Sequence, residues 1–312
     1  MDTTDTSSRA ASGPGLANEI RAASAHHTTG DRLGPLKDLP GFWEGSGFSL
    51  TARPNFGGGN PNGLFLQLNM IRETIEFTAI GSPVTNRGSV QDDITVYGVT
   101  YLQRVTDAIS GGALHVEPGM LLNIPATESP AADAAIARLC TVPHGNSVCA
   151  SGFSVEEILS GAPTIPPLNT VPFEIGAEAP APGTPNPFPE YQLDRPSAYR
   201  TDPLPPGVTQ ALIDDPNVLL RSTLQAQVDQ GYRFNKVVLL ITQTGNQQGI
   251  SNIGYIQKNA DTTFMHSVFG IQSVTSPAGE DFLQLQYGQT VLLNFRGMSF
   301  PHITCATLVK AF

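Results

Sequence analysis

ETIEFTAI, residues Glu73 to Ile80, decides the fold. Ile75, Phe77 and Ala79 occupy alternate positions, with Thr74, Glu76 and Thr78 between them. Successive side chains of a strand point to opposite faces, so this period of two describes a strand with one dry face and one wet one.

Outward from that stretch, strand-length runs recur between Gly, Pro and Asn turns. They read GFWEGSGFSLTA, LFLQLNMIRETIEFTAI, DITVYGVTYLQRV, ALHVEPGMLLNIP, IARLCTV and NSVCASG, and later NKVVLLITQT, GISNIGYIQ, TTFMHSVFGIQSV, DFLQLQYGQTVLLNF and HITCATLVKAF. The chain has 31 Gly and 26 Pro in 312 residues and only 14% charged residues, a composition of short strands and ordered loops. Close spacing favours antiparallel hairpins. The expected fold is all-β, a closed antiparallel up-and-down barrel of about ten strands, with a sandwich as the alternative. A barrel of that size either fills with side chains or holds one small ligand.

Residues 1–37 are polar and small and are expected to form a flexible N-terminal tail, leaving 38–312 as one barrel domain. Fourteen of the prolines fall between Pro163 and Pro216. Proline has no backbone donor, so the ladder must break there, and a loop-like insertion is expected at about 154–233. Within it GVTQALIDDPNVLLRSTLQAQV reads as a helix interrupted at Pro216. The apolar rings of Phe173, Phe188, Tyr191 and Tyr199 need a surface to rest on, so the insertion should lie across the barrel or join a homo-oligomer.

The formal net charge of −10, with no Lys/Arg cluster, opposes nucleic acid and anionic membrane partners. No run of eighteen apolar residues and no apolar leader occurs, and a cytoplasmic protein is expected. Cys140, Cys149 and Cys305 form no C-x-x-C pair and read as reduced, buried small hydrophobes. Nucleophile-elbow, Walker, zincin and dinucleotide motifs are all missing, and GGGNPNG at 57–63 precedes no helix that could aim at a phosphate.

FWEGSG, Phe42 to Gly47, resembles the opening strand of calycin-type barrels. In order, IRETIEFTAIG, ALHVEPGMLLNIP, TVPHGNSVCASG and LQLQYGQTVLLNF followed by PHITCATLVK resemble the nitrobindin-like haem-binding β-barrels over 38–153 and 234–312. That resemblance implies a ferric haem b held at one barrel end by a histidine of the last strand, here His302 as metal ligand. It implies a second pocket histidine, His115, in LHVEPG, where Leu114 and Pro118 replace the Met and Ser of the family's segment. It also implies binding of nitric oxide or isomerisation of peroxynitrite.

Alternation places His302, Thr304, Ala306 and Leu308 on one face, and small residues beside an imidazole leave room for a flat macrocycle with an apolar wall. The bland readings are a satisfied core histidine for His302 and a half-exposed strand residue for His115. His144, in the turn PHGN, reads as facing solvent, and Trp43 as a structural plug. The alternative function is a metal-free barrel that binds or converts an apolar organic small molecule.

Overall fold

The computed structural model describes residues 32–142, 144–245 and 248–311, so the expected tail lies outside the described residues as far as position 31. Ten long strands succeed one another. They are β1 Gly41–Pro54, β2 Leu64–Ala79, β3 Ile94–Asp107, β4 Ala113–Ile124 and β5 Ala135–Cys140, then β6 Asn146–Ile158, β7 Arg233–Gln243, β8 Asp261–Thr275, β9 Asp281–Phe295 and β10 Met298–Lys310. Each pairs antiparallel with the next, and β10 returns to β1 from Trp43↔Lys310 to Leu50↔Ile303. The closed antiparallel barrel read from ETIEFTAI is therefore present, and closure leaves none of the ten strands as an open edge.

The β1–β10 seam is tight. A Cβ on Gly45 would fall 2.0 Å from the Thr307 carbonyl oxygen, and one on Gly47 would fall 2.1 Å from that of Cys305. Only glycine allows the strands to coil together there.

Inward residues change character along the barrel. At one end Ile75, Phe77, Leu121, Leu285, Ala306 and Leu308 pack around fully buried Trp43, whose indole N–H donates to the Leu39 carbonyl at 2.7 Å. A 3-10 turn at Gly34–Leu36 covers this floor, and Leu33 and Leu36, at the end of the stretch expected as a tail, are buried in it. Burying each such side chain contributes about 1.5–3 kcal/mol, so this end is the anchor of the barrel.

Between Ile158 and Arg233 the chain leaves the barrel and packs on the outer face of β1, β2 and β10, rejoining the sheet only where Phe173–Glu174 pairs with Met298 and Ser299 of β10. Helices α1 Gln210–Asp214 and α2 Val218–Asp229 are separated at Pro216, as its missing N–H requires. Tyr191, Leu212, Ile213 and Leu220 share a core with Phe48, Leu50, Leu66 and Leu68. The backbone joins in: Leu66 donates to the Tyr199 carbonyl at 2.9 Å and accepts from Thr201 at 3.0 Å. Buried Arg200 ties the loop, donating to the carbonyls of Glu190, Gln192 and Arg195 at 3.0, 2.8 and 2.6 Å.

Among the described residues no helix is long and apolar enough to cross a membrane. All three cysteines are free. Cys305 is buried and its thiol donates to the Pro216 carbonyl, but Cys140 is half-buried and Cys149 is exposed, so the reading of all three as buried hydrophobes holds in full only for Cys305. Cys149 stands on β6 at an outward phase, next to inward Val148 and Ala150.

Candidate functional site

Above the apolar floor lies a belt of buried polar groups from six strands. Glu117 of β4 accepts from the Arg138 guanidinium of β5 at 2.7 Å and from the Tyr101 hydroxyl of β3 at 2.5 Å. Arg138 also donates to Tyr101 Oη at 2.9 Å and Ser267 Oγ at 2.8 Å, and lies 4.9 Å from the Phe269 ring centroid. Burial alone raises the Glu117 carboxyl, but Arg138, aided by His115 and Tyr101, outweighs it and holds the group at about 2. A buried charge is tolerated when paired and fully hydrogen-bonded, and this one is.

Glu73 of β2 has no such cation. The Tyr287 hydroxyl donates to it at 2.7 Å and the Gln103 amide at 2.8 Å. Burial dominates over those two hydrogen bonds, and the carboxyl is pushed up to about 7.

Over this belt the barrel opens into a cavity of about 190 Å³. His302 and Thr304 of β10 form one wall beside Ser49 of β1 and Gln289 of β9, with His115 and Glu117 of β4 also lining the space. Both histidines singled out in the sequence therefore line one cavity. Among the described residues the His302 ring makes no hydrogen bond, and burial, reinforced by His115, pushes it down to about 4, so it is a neutral imidazole at ordinary pH. His115 is braced from behind, its Nε2 standing 3.3 Å from Glu117 Oε2.

His144 does not merely face solvent. Its ring stacks on His115 with centroids 5.0 Å apart, and its Nε2 lies 3.1 Å from the Val116 amide nitrogen. It lines the cavity mouth. His266 neighbours the inward Ser267 on β8 and is not in the wall.

The expected apolar wall is corrected. Gln67, Asn69, Gln103 and Gln289 line the cavity together with Val105, Leu114, Val142 and Val291, so the wall is mixed, polar and apolar in about equal parts. The cause is the insertion. It covers the outside of β2, so Leu64, Leu66 and Leu68 turn outward into that core while Gln67 and Asn69 turn inward. The signal stands in LFLQLN, whose three leucines are at even positions, against the odd positions of Ile75 and Phe77 in the same strand.

A single haem ligand is the group the resemblance implies, and the donor set fits one axial imidazole. Among the described residues no three His, Cys, Asp or Glu side chains are grouped to hold a metal ion. A metal here would have to bring its remaining ligands with it, as a macrocycle does.

No family model matches the chain, and no curated protein matches it. It is similar to the crystal structure of Rv2717c from M. tuberculosis, at 13% identity and a TM-score of 0.41, with 91% of this chain and 98% of that one covered. The fold rests on the strand pairings above.

Proposed function

We propose that the cavity beneath His302 binds a small molecule and that His302 is the axial ligand of a haem. The observation that supports it is an imidazole in the wall of an open barrel end that, among the described residues, has no hydrogen-bond partner. A nitrogen lone pair kept unprotonated and unused is what an iron ligand requires. A haem held by His302 would supply the iron chemistry of nitric oxide and peroxynitrite that the resemblance implies.

The chain's own part is positional. Glu117, anchored by Arg138, fixes the His115 ring, and His144 stacks over it at the mouth. The two rings regulate access and polarity beside the ligand, while the belt below keeps the cavity from collapsing onto the floor. Gln103 and Tyr287 of that belt face the ligand space.

Size and polarity support a second reading. The enclosed space of about 190 Å³ is below the roughly 300–1,000 Å³ of pockets that enclose drug-sized ligands, so a porphyrin must use the open mouth. A small polar organic molecule fits without it. Titration with hemin separates the two: saturable binding with a Soret shift, lost in His302→Ala, supports haem, whereas no shift in the wild type leaves the polar-ligand reading.

A further inference from the structure

Arg296 and Gly297 make the two corners of the turn between β9 and β10, with Phe295 and Met298 paired across them, and both have positive φ, 50° and 78°. Such two-residue turns favour Asn or Gly at the first corner, because a Cβ crowds the backbone in the left-handed region. Among the described residues Arg296 is the only non-glycine there. An exposed arginine needs no partner, but one held in a disfavoured conformation points to a use for its side chain.

That side chain has a seat. A Cβ on Gly63, itself at φ 69°, would fall 2.2 Å from both Cδ and Nε of Arg296, so the arginine arm lies across the β1–β2 hairpin where only glycine leaves room. Among the described residues the guanidinium forms no ion pair or hydrogen bond. Glu190, the carboxylate that reaches the same hairpin, is held by Asn60 and Asn62.

Arg296 borders a groove of about 370 Å³ between that hairpin, the turn and a short helix, α3 Gly254–Asn259. Lys258 brings a second cation, Asn55, Gln257 and Asn294 bring amides, and no Asp or Glu lines the space. In a chain of net charge −10 this is a local reversal of sign. A planar guanidinium forks onto two oxygens of one anion, and an ammonium adds a point charge beside it. A phosphate monoester carries close to two negative charges on three oxygens and matches both cations, whereas a carboxylate matches one.

We infer that this groove, which shares no residue with the His302 cavity, binds a phosphate monoester, with Arg296 as the forked ligand and Lys258 as the second cation. Fully exposed Phe56 lines the same groove and offers an apolar surface to the rest of the ester.

The test titrates the full-length protein with inorganic phosphate at constant ionic strength, following the Arg296 Nε–H signal in ¹H–¹⁵N spectra. Phosphate should move that signal saturably, and acetate should bind at least about fivefold more weakly. Arg296→Asn and Lys258→Gln should each weaken phosphate binding at least about fivefold. Arg296→Asn should also raise the Tm by about 2 °C in phosphate-free buffer, because Asn tolerates the left-handed corner. Vesicles separate the two sources of the ester. Binding to phosphatidylcholine vesicles that carry phosphatidic acid, absent without it and weakened by Phe56→Ala, would identify a lipid headgroup, and phosphate binding without vesicle binding would identify a soluble ester. The proposal is overturned by the lack of a saturable shift, by acetate binding as well as phosphate, or by unchanged phosphate affinity in Arg296→Asn. An Arg296→Asn variant less stable than wild type would also overturn it, since the guanidinium would then serve the hairpin's own packing.

Discussion

Tyr287 of β9 donates its hydroxyl proton to Glu73 of β2 at 2.7 Å, joining positions 214 residues apart across the barrel interior. That contact gives the site a carboxyl group whose ionisation is coupled to the packing of the whole barrel.

Glu73 makes folding pH-dependent in a stated direction. Its carboxyl titrates at 4.5 in the unfolded chain and at about 7 in the barrel, so between those values the folded state keeps a proton that the unfolded chain releases. Its contribution is therefore complete below pH 4.5 and is lost as pH rises through about 7, a change on the order of 3 kcal/mol. Glu73→Gln should flatten the decline between pH 5 and 7.5 in urea unfolding curves. A decline of unchanged size would assign it to other groups.

Arg138 and Glu117 behave as one unit. Removing the cation in Arg138→Met strands a buried carboxylate and should cost about 3–5 kcal/mol. Glu117→Gln with Arg138→Met should recover part of that loss, because both charges are then gone. A double-mutant cycle in guanidinium reads the coupling, and strictly additive losses would contradict it.

The insertion is integral to the barrel. Leu220→Ala removes a buried side chain from the core shared with β1 and β2 and should cost about 2–5 kcal/mol of global stability. Cleavage within 159–232 should then accelerate in step with global unfolding. Rapid nicking of the wild type that leaves thermal stability unchanged would show the segment to be independent.

The barrel was legible because Ile75, Phe77 and Ala79 keep a strict alternation that one face of a closed sheet rewards. Trp43 was legible as a plug for a similar reason, since a lone large apolar residue beside close-packed glycines has few other places to go. His302 and His115 were reached through resemblance, and the structure sets both on one cavity. Local pattern could not give the polar belt. Glu73, Gln103, Glu117, Arg138 and Tyr287 meet only after closure: alternation sets Glu73 on the face of Ile75 and Gln103 on that of Val105, but no single strand shows which partners they find. The apolar wall was expected because an interior was equated with a dry face. The insertion reverses that for Leu64, Leu66 and Leu68, whose burial lies outside the barrel.

The most direct test of the account is chemical rescue at His302. Wild-type protein should bind hemin with the absorption of a single-histidine ferric complex. His302→Gly should lose that spectrum and regain it when free imidazole is added, because the small base re-enters the space that the side chain vacated. Hemin bound by His302→Gly as tightly as by wild type, with no response to imidazole, would contradict His302 as the axial ligand.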